Sequence, residues 1–336
     1  MPRKNWGVLL LAMGGPPRCE DVGPYLLNLF SDPMIVPIPG GPAFRRLAAR
    51  LLSRLRRGKA VHRYRAIGGG SPLGEITRRQ ARALEKALED RGHTMPVSVA
   101  MRYWRPSAGE AVAYMARKGV DRIVALPLYP QYSTATTGSS LAALKKAVAE
   151  GGSSRIDVLE IQSWCDHPGF VGCVATRVEK ALASAGGAPE RVALLFVAHS
   201  LPVRLVKKGD PYVSEVERTV RGIVGLLDTV LDKRRFGLQA LEWEIAYQSR
   251  VGPIAWVGPC VEEVVQRMID KGRHSLIVAP VSFVSDHLET LYDIDVVYRD
   301  VAYRRGATHF VRVEALNDAP DFIACLADLV IGKMCG

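Results

Sequence analysis

Apolar segments rich in β-branched residues alternate with helix-forming segments along most of this 336-residue chain. Such alternation is typical of α/β proteins, in which helices connect the strands of a parallel sheet and cover its two faces. The strand candidates are GVLLLAM (7–13), PVSVAM (96–101), DRIVALPLY (121–129), RIDVLEI (155–161), RVALLFVA (191–198), LEWEIAYQ (241–248) and SLIVAPVSF (275–283). Because most of these runs are continuously apolar, we expect strands that are buried on both faces.

Helical periodicity fits the segments between these strands. The predicted helices are 78–91, 108–118, 141–150, 170–185, 214–231, 261–271 and 320–333. Gly119 and Gly272 each stand where a helix should end, since glycine readily adopts the left-handed conformation of a helix C-terminus.

The chain also contains an internal repeat. Residues 108–130 align without a gap with residues 261–283, and residues 8–17 resemble residues 194–203, so that Met13 corresponds to His199. Ordered similarities of this kind predict two α/β halves of similar fold. We expect the first half to comprise residues 1–163 together with a C-terminal helix in 315–336, and the second half to comprise residues 164–314.

The composition predicts a cytoplasmic protein with full hydrophobic cores. The chain is 48% apolar but has no apolar run of transmembrane length. The run from Val8 to Met13 follows a basic N-terminus but is too short for a signal peptide, so we interpret it as a buried strand. The six cysteines include no CxxC pair, which argues against a disulfide framework and a standard zinc site.

The net charge of +11 indicates anionic partners. No zinc-finger, RNP-type motif or basic repeat is present, which argues against nucleic acid. Much of the excess lies in residues 42–65, where arginines are frequent and acidic residues are absent. Within 42–58, apolar residues recur at helical spacing, a pattern that suits contact with an anionic membrane or an acidic amphiphile. The alternative, which we favour for much of its length, is a surface helix packed on the core.

The segment from Ser275 to Asp295 combines a predicted buried strand with an acidic continuation. If the continuation is helical, the carboxylates of Asp286, Glu289 and Asp293 line one face. Because neighbouring like charges destabilise a helix, such a row indicates a cation site or a path for protons. The alternative is a solvated helix face on which Asp286 interacts with the helix dipole.

Polar and sulfur-containing side chains follow several of the predicted strands. They are Met13, Tyr129, His199, Ser200, Asp286 and Glu289. Because ligands of open α/β sheets bind beyond the carboxyl ends of the strands, we expect these side chains to face a cleft between the halves.

His199 is the main candidate for chemistry in this cleft. A neutral imidazole can accept a proton near neutral pH or bind iron or zinc, and Glu289 can serve as a second ligand or a proton relay. One histidine with one or two carboxylates makes a poor closed metal site but suits a metal that arrives and leaves. The alternative is a hydrogen-bonded structural histidine at a strand end.

Two other functions, serine hydrolysis and phosphate binding by a glycine-rich loop, are excluded because their sequence motifs are absent. Ser200 lies beside His199, but no G-x-S-x-G elbow of a serine hydrolase is present. The segment IGGGSPLGEIT (67–77) lacks both the GK[ST] ending of a phosphate loop and a preceding apolar strand, and its glycines do not fit G-x-G-x-x-G. We interpret it as a loop leading into helix 78–91, with Thr77 as its cap.

Seven motifs, in order along the chain, resemble those of the ferrochelatases, enzymes that insert ferrous iron into a porphyrin. They are MGGPPRCEDVGPYLLNLFSDP (13–33), RYRAIGGGSPL (63–73), MRYWRPS (101–107), LPLYPQYSTATTGSS (126–140), AHSLPVRLVKKGDPY (198–212), AYQSRVGPIAWVGP (246–259) and PVSFVSDHLETLYDID (280–295). The resemblance covers nearly the whole chain. It implies two similar Rossmann-like halves, each a four-stranded parallel sheet flanked by helices, with the active site in the cleft between them.

The resemblance also implies roles for individual residues. His199 and Glu289 would be the catalytic pair that accepts pyrrole protons and binds the metal, and Met13 would contact the opposite porphyrin face. Asp286, His287 and Asp293 would extend this pair as an acidic path. The expected substrate-binding residues also include Ser200, which follows its strand. The others are Arg63, Tyr64, Ser71, Arg102, Tyr103, Tyr129 and Trp256.

The chemistry that the resemblance implies requires bases. Two N–H protons occupy the hole that the metal must enter, and a pocket that holds the ring bent exposes a pyrrole nitrogen to the metal. His199 and Glu289 would accept the displaced protons. We expect burial and neighbouring acids to raise the pKa of Glu289.

We expect no resident cofactor, with ferrous iron as a substrate. Some ferrochelatases hold a two-iron two-sulfur cluster through cysteines near the C-terminus and in the PQYS segment, but here that segment continues with Thr134 and the tail offers Cys325 and Cys335. Met13 and the NLFSDP segment resemble the branch that acts on protoporphyrin rather than coproporphyrin. We therefore expect synthesis of protohaem, the last step of haem biosynthesis. The alternatives are a chelatase for coproporphyrin III or another tetrapyrrole, such as sirohydrochlorin, and a non-catalytic porphyrin or haem carrier.

Overall fold

Two parallel four-stranded sheets, one in each half of the chain, form the framework of the protein. The computed structural model describes residues 5–36, 40–151, 156–184, 191–230, 242–250, 252 and 254–336. The first sheet has the order β2-β1-β3-β4, with β1 (Trp6–Ala12), β2 (Val97–Met101), β3 (Arg122–Pro127) and β4 (Asp157–Glu160). The second has the order β6-β5-β7-β8, with β5 (Val192–His199), β6 (Trp243–Gln248), β7 (Ser275–Pro280) and β8 (His309–Arg312). The predicted α/β class is therefore confirmed.

Helices connect the strands on both faces of each sheet. The described α-helices are α1 (Val22–Phe30), α2 (Pro42–Ala66), α3 (Leu73–Glu89), α4 (Ala108–Arg117), α5 (Ser139–Glu150), α6 (Pro168–Ser184), α7 (Val203–Lys207), α8 (Tyr212–Val230), α9 (Val261–Asp270), α10 (Arg299–Arg304) and α11 (Pro320–Cys335). Two π-helical segments, Thr134–Gly138 and Glu289–Tyr298, precede α5 and α10. No helix within the described part of the chain is long and apolar enough to cross a membrane.

The internal repeat predicted from the sequence is confirmed by the helix and strand bounds. Helices α4 and α9 begin and end at corresponding residues, as do β3 and β7, and a cis proline precedes each helix. At the start of each helix a glutamate accepts a backbone N–H hydrogen bond from the residue before the helix. Glu110 accepts from Ser107 at 2.7 Å, and Glu263 accepts from Cys260 at 2.8 Å. These bonds satisfy N–H groups that a helix leaves unpaired.

The structure differs from the sequence predictions at β8 and at the start of α3. The short, partly polar strand β8 was missed. Helix α3 starts at Leu73 rather than at residue 78, so Thr77 is not its cap but lies buried inside it, where its hydroxyl donates to the Leu73 carbonyl at 2.7 Å. Residues 155, 185, 231 and 241, at the ends of predicted elements, lie outside the described residues.

A shared hydrophobic core joins the two halves. Its fully buried members include Leu10 of β1, Leu84 of α3, Phe196 of β5, Val220 of α8 and Phe322 of α11. Each such side chain contributes about 1.5–3 kcal/mol by leaving water. Helix α11 packs against α3, α6 and β3. Since the core crosses from one half into the other, the division at residues 163 and 164, with 315–336 assigned to the first half, stays a prediction.

The buried side chains of two glutamines link the two halves near the ends of their strands. Gln131, in the loop after β3, donates from Nε2 to Thr219 Oγ1 at 2.9 Å and to the Val281 carbonyl at 3.0 Å. Gln80 of α3 donates from Nε2 to Ser285 Oγ at 2.9 Å. The loops that follow β3 and β7 are thereby held in place, and the candidate site residues lie on such loops.

Candidate active site

His199 stands at the end of β5 with its imidazole partly exposed. Its Nδ1 lies 2.6 Å from the carbonyl oxygen of Ser200. Because a carbonyl oxygen can only accept a hydrogen bond, Nδ1 carries the proton in the neutral ring. The lone pair of Nε2 is then available to accept a proton or to bind a metal. This Nε2 lies 3.6 Å from Oε1 of Glu289, which confirms the predicted proximity of the two residues.

The Glu289 carboxylate is oriented by two neighbours that sequence reasoning missed. Gln248, at the end of β6, donates from Nε2 to Oε2 at 2.8 Å, and the Ser249 hydroxyl donates to the same oxygen at 3.3 Å. Ser249 has a φ of 68°, a left-handed conformation that is rare outside glycine and that occurs at functional sites. The strand-end rule could have identified both residues, since Gln248 ends the predicted strand 241–248 and Ser249 follows it.

The gap between His199 and Glu289 suits a positive charge. With Nδ1 protonated and Oε2 occupied, an electron pair on Nε2 faces an electron pair on Oε1. Either a proton or a metal cation between them removes this repulsion. Within the described residues no group of three or more His, Cys, Asp or Glu side chains could hold a metal ion. As potential metal ligands the pair offers two atoms, His199 Nε2 and Glu289 Oε1.

The three acidic side chains do not share one helix face as predicted. The helix is π-helical and begins only at Glu289, so Asp286 lies before it. Asp286 instead accepts from Arg312 Nη1 and from Asn317 Nδ2, each at 3.0 Å. Glu289 and Asp293 are about one π-helical turn apart and do lie near each other. The membership of Asp286 in an acidic path is thus a prediction that this geometry does not support.

The pKa values of the two helix carboxylates are displaced in opposite directions. Burial favours the protonated form of Glu289, but the positive charges of His199 and His287 in their protonated forms, the Gln248 hydrogen bond and Arg63 together outweigh burial and lower the pKa of Glu289. The expectation of a raised pKa for Glu289 is therefore wrong. For Asp293, burial dominates and raises the pKa to about 6 despite the adjacent Arg63. Carboxylates with separated pKa values are suited to different acid–base roles.

His287 is a partly buried neighbour of this pair. Its Nδ1 lies 3.1 Å from the Ser285 carbonyl, and its ring centroid lies 4.5 Å from that of Phe283. Burial lowers the pKa of His287, because a charged imidazole is poorly solvated there. We infer that His287 is neutral and that it packs the site rather than carrying charge in it.

Arg63 bridges the two halves of the chain. It lies near the end of α2, and its Nη2 donates to both carboxylate oxygens of Asp293. Its guanidinium also lies 5.4 Å from the ring centroid of Tyr292, in a cation–π arrangement. Both members of the ion pair are mostly buried, with 26% of the Arg63 side chain and 14% of the Asp293 side chain exposed.

Arg102 and Tyr103 are held by a buried carboxylate that the sequence did not identify. Asp32 Oδ2 accepts from Arg102 Nη2 and Tyr103 Oη, each at 2.7 Å, and from Ser139 Oγ at 2.6 Å. Burial alone would raise the pKa of Asp32, but these donors and the Arg102 charge outweigh it and lower the pKa. Tyr103 is 3% exposed. Substrate contact by Arg102 and Tyr103 stays a prediction, and the structure gives both a positioning network.

Met13 and Tyr64 belong to an apolar cluster that reaches the second half of the chain. The cluster includes Tyr25 and Tyr103, and Leu288, directly before the π-helix, packs against it. Tyr64 is buried, whereas Met13 is partly exposed. The cluster thus brings the loop after β1 close to the Glu289 helix.

The Ser71 loop packs on the turn after β1. The backbone N–H of Ser71 donates to the Pro16 carbonyl at 2.8 Å. A Cβ atom on Gly70 would lie 1.9 Å from the Pro17 carbonyl oxygen, so only glycine allows this approach. Gly70 therefore serves loop packing, in agreement with the rejection of a phosphate loop.

Three other predicted substrate-binding residues are partly or fully buried. Ser200 is fully buried and donates to the Val257 carbonyl at 2.8 Å, and Trp256 forms an isolated bridge with Pro202. Tyr129 is partly buried, and burial raises its pKa. Contact of these three residues with a substrate stays a prediction.

The chain matches a known protein family and curated relatives over nearly its whole length. Residues 5–334 match the family model described as Ferrochelatase. A ferrochelatase of Geotalea uraniireducens is 44% identical over 331 residues, which are 98% of each chain. A ferrochelatase of Gloeothece citriformis is 43% identical over 330 residues, which are 98% of this chain and 82% of that protein.

Solved structures support the fold. SirB from Bacillus subtilis with Fe³⁺ has a TM-score of 0.55 at 11% identity, covering 98% of this chain and 95% of that chain. The sirohydrochlorin chelatase SirB from Bacillus subtilis subspecies spizizenii, in complex with cobalt, has a TM-score of 0.54 at 10% identity with the same coverage. At such identities the likeness concerns the fold alone, whereas the family model and the relatives span nearly the whole sequence. The chain belongs to the ferrochelatase family, enzymes that insert a metal into a porphyrin.

Proposed function

We propose that this protein inserts ferrous iron into protoporphyrin IX, releasing two protons and forming protohaem in the last step of haem biosynthesis. The observation that carries the proposal is the 3.6 Å approach of His199 Nε2 to Glu289 Oε1, with electron pairs facing each other. Membership in the ferrochelatase family supports the reaction class. Met13 in the loop after β1 supports protoporphyrin as the ring.

Proton removal is assigned to His199 and the π-helix carboxylates. His199 Nε2 accepts a pyrrole proton, because its Nδ1 is already committed to the Ser200 carbonyl. Glu289 Oε1 receives the proton or stabilises the imidazolium, while Gln248 keeps Oε2 fixed. Asp293, with a pKa of about 6, is suited to accept a proton from this pair near neutral pH. As the dication enters while two protons leave, the net charge of the ring stays constant.

Peripheral membrane contact through α2 is part of the proposal. Phe44, Leu47, Leu51 and Leu55 occur at spacings of three and four residues and are 58–71% exposed. The face formed by these four residues is exposed, whereas Ala49, Ser53 and Tyr64 of the same helix are buried, so α2 is also a surface helix packed on the protein, as favoured from the sequence. Arginines flank the exposed face, as in helices that lie on anionic membranes. An apolar porphyrin and haem could then be exchanged with the membrane directly.

The proposal requires no resident cofactor. Cys173 and Cys325 are buried in the packing of α6 and α11, and burial raises the pKa of each thiol to about 12. Thiols in such surroundings are poor metal ligands, because the thiolate is the binding form. We therefore propose that the protein acts without an iron–sulfur cluster.

An anaerobic insertion assay tests the function. Purified protein is mixed with ferrous iron and either protoporphyrin IX, coproporphyrin III or sirohydrochlorin, and the loss of ring fluorescence is followed. We expect the fastest loss with protoporphyrin IX. A preference for another ring would reassign the substrate, and tight porphyrin binding without any loss would favour a carrier.

A histidine variant tests the assignment of the base. His199→Ala should abolish insertion while porphyrin binding, measured by fluorescence quenching, changes little. His309→Ala, at an exposed histidine of β8, is the matched control and should retain full activity. Unchanged turnover in His199→Ala would show that the base lies elsewhere.

A further inference from the structure

The Arg63–Asp293 pair connects an expected substrate-binding residue to the helix that carries Glu289. Arg63 comes from α2 in the first half and Asp293 from the π-helix in the second half, and the sequence resemblance assigned them separate tasks. In the structure they are each other's partner, with both Asp293 oxygens accepting from Arg63 Nη2. Tyr292 stacks against the guanidinium and limits its direction of approach.

This pairing places the two tasks in competition, because the Asp293 carboxylate already binds the guanidinium of Arg63. A carboxylate on the substrate that binds Arg63 would place a second anion beside the same guanidinium, with Glu289 already close to Asp293. Anions that share one cation in a poorly solvated site repel each other strongly. Since only 14% of the Asp293 side chain is exposed, water cannot relieve this repulsion effectively. Binding of the substrate carboxylate therefore weakens the ion pair between Arg63 and Asp293.

We propose that Arg63 is an exchange residue that determines specificity for carboxylate-bearing tetrapyrroles. In the empty cleft Arg63 neutralises Asp293. When the ring binds, one of its carboxylates replaces Asp293 as the ion-pair partner of Arg63. The Asp293 carboxylate is then available for a cation or a proton beside Glu289 and His199. The cleft then gains one negative charge at the time when a divalent cation must enter. This inference rests on the proposed function, because it assigns the ring carboxylate and the cation to the same reaction.

Metal affinity without porphyrin tests the exchange independently of turnover. In the porphyrin-free protein Arg63 competes with a cation for Asp293, so Arg63→Gln should bind Zn²⁺ about tenfold more tightly than the wild type, measured by isothermal titration calorimetry. The double variant Arg63→Gln with Asp293→Asn should lose this gain, which excludes unrelated zinc sites. Arg56→Gln, at an exposed arginine of the same helix, is the matched control for the loss of one positive charge and should bind Zn²⁺ like the wild type.

Ring binding provides the reciprocal test. Asp293→Asn leaves Arg63 without its anionic partner, so the variant should bind protoporphyrin IX about tenfold more tightly than the wild type, measured by fluorescence quenching. Its affinity for the dimethyl ester of the same porphyrin should be unchanged, because the ester has no charge to pair with Arg63. Circular dichroism and thermal unfolding confirm that each variant is folded before titration.

The outcomes separate this inference from the proposed function. Equal Zn²⁺ affinities of the wild type and Arg63→Gln would overturn the exchange and leave Arg63 as a simple carboxylate anchor. Equal gains of Asp293→Asn for the diacid and the dimethyl ester would overturn it as well. A wild-type protein that inserts no metal into any porphyrin would overturn the proposed function, whereas the zinc titrations would still report on the ion pair.

Discussion

Replacement of Glu289 by glutamine changes one atom of the site and should nearly abolish its chemistry. In the wild type, Oε2 accepts from Gln248 and Ser249, while Oε1 faces His199 Nε2 at 3.6 Å. In Glu289→Gln the carbonyl oxygen should keep the two donors, because both need an acceptor. The new NH₂ group then points at His199 and donates a hydrogen bond to the lone pair of Nε2. The variant therefore loses a negative charge, and the lone pair that should accept the pyrrole proton is already engaged.

The expected loss follows from the role of a positioned base. Proton transfer by such a group contributes about 10²- to 10⁴-fold to a rate. We therefore expect kcat of Glu289→Gln to fall by about 10²- to 10⁴-fold, which corresponds to about 3–5 kcal/mol in activation free energy. Since the Gln248 and Ser249 hydrogen bonds are retained, the free energy of unfolding should change by less than about 1 kcal/mol.

The assay is anaerobic insertion of ferrous iron into protoporphyrin IX, with porphyrin affinity measured separately by fluorescence quenching. We expect kcat to fall while the Kd for porphyrin stays within about threefold of the wild type, because no ring-binding group is removed. Glu85→Gln, at an exposed glutamate of α3, is the matched control. A kcat of Glu289→Gln within tenfold of the wild type would refute the assignment of Glu289 as the partner of His199.

Three further predictions concern titration, stability and membrane binding. Burial raises the pKa of Asp293 to about 6, and its ionised form is the proton acceptor, so kcat/KM should rise with pH through this value. Asp293→Asn should lack this acidic limb in a pH series of zinc insertion, and an unchanged limb would exclude Asp293 as its source. Asp32→Asn should lower the free energy of unfolding by about 3 kcal/mol at neutral pH in urea titrations, because it weakens a buried network that includes Arg102. Since the pKa of Asp32 is lowered by folding, its contribution is present above the unfolded value of about 4 and is lost as the pH falls through the folded value. The stability gap between the wild type and Asp32→Asn should therefore narrow in acid, and a constant gap would contradict this account. Leu51→Glu combined with Leu55→Glu should abolish sedimentation with anionic vesicles but leave insertion with detergent-dispersed porphyrin intact, and undiminished sedimentation would exclude the exposed face of α2 as the contact.

The local pattern of apolar and polar residues was sufficient to predict most of the strands and helices. Apolar runs are typical of buried parallel strands, and seven of the eight described strands overlap predicted strand segments, although β4 (DVLE) and β6 (WEIAYQ) contain acidic residues. Strand β8 was missed because its four residues, HFVR, include two charged or polar side chains and lie at the sheet edge. The start of α3 was misplaced because Gly74 and Pro72 suggested a loop, although proline is readily accommodated at the beginning of a helix.

Residue patterns alone were enough to predict the α/β class, the repeat and the proximity of His199 to Glu289. The physical reason is that strand-end residues of parallel sheets meet at one edge, whatever the details of the loops. The resemblance of seven ordered motifs then indicated the reaction class, which the comparisons confirmed.

The partners of the carboxylates in the site became known from the tertiary structure and not from the sequence. Asp286, Glu289 and Asp293 are close in sequence, yet they take three separate partners, Arg312, Gln248 and Arg63. These partners are 26, 41 and 230 residues away, so no local spacing could have identified them. The pKa of a carboxylate depends on such partners and on burial, both of which arise when distant segments pack together. For this reason the lowered pKa of Glu289, the network around Asp32 and the Arg63–Asp293 pair emerged only from the folded chain.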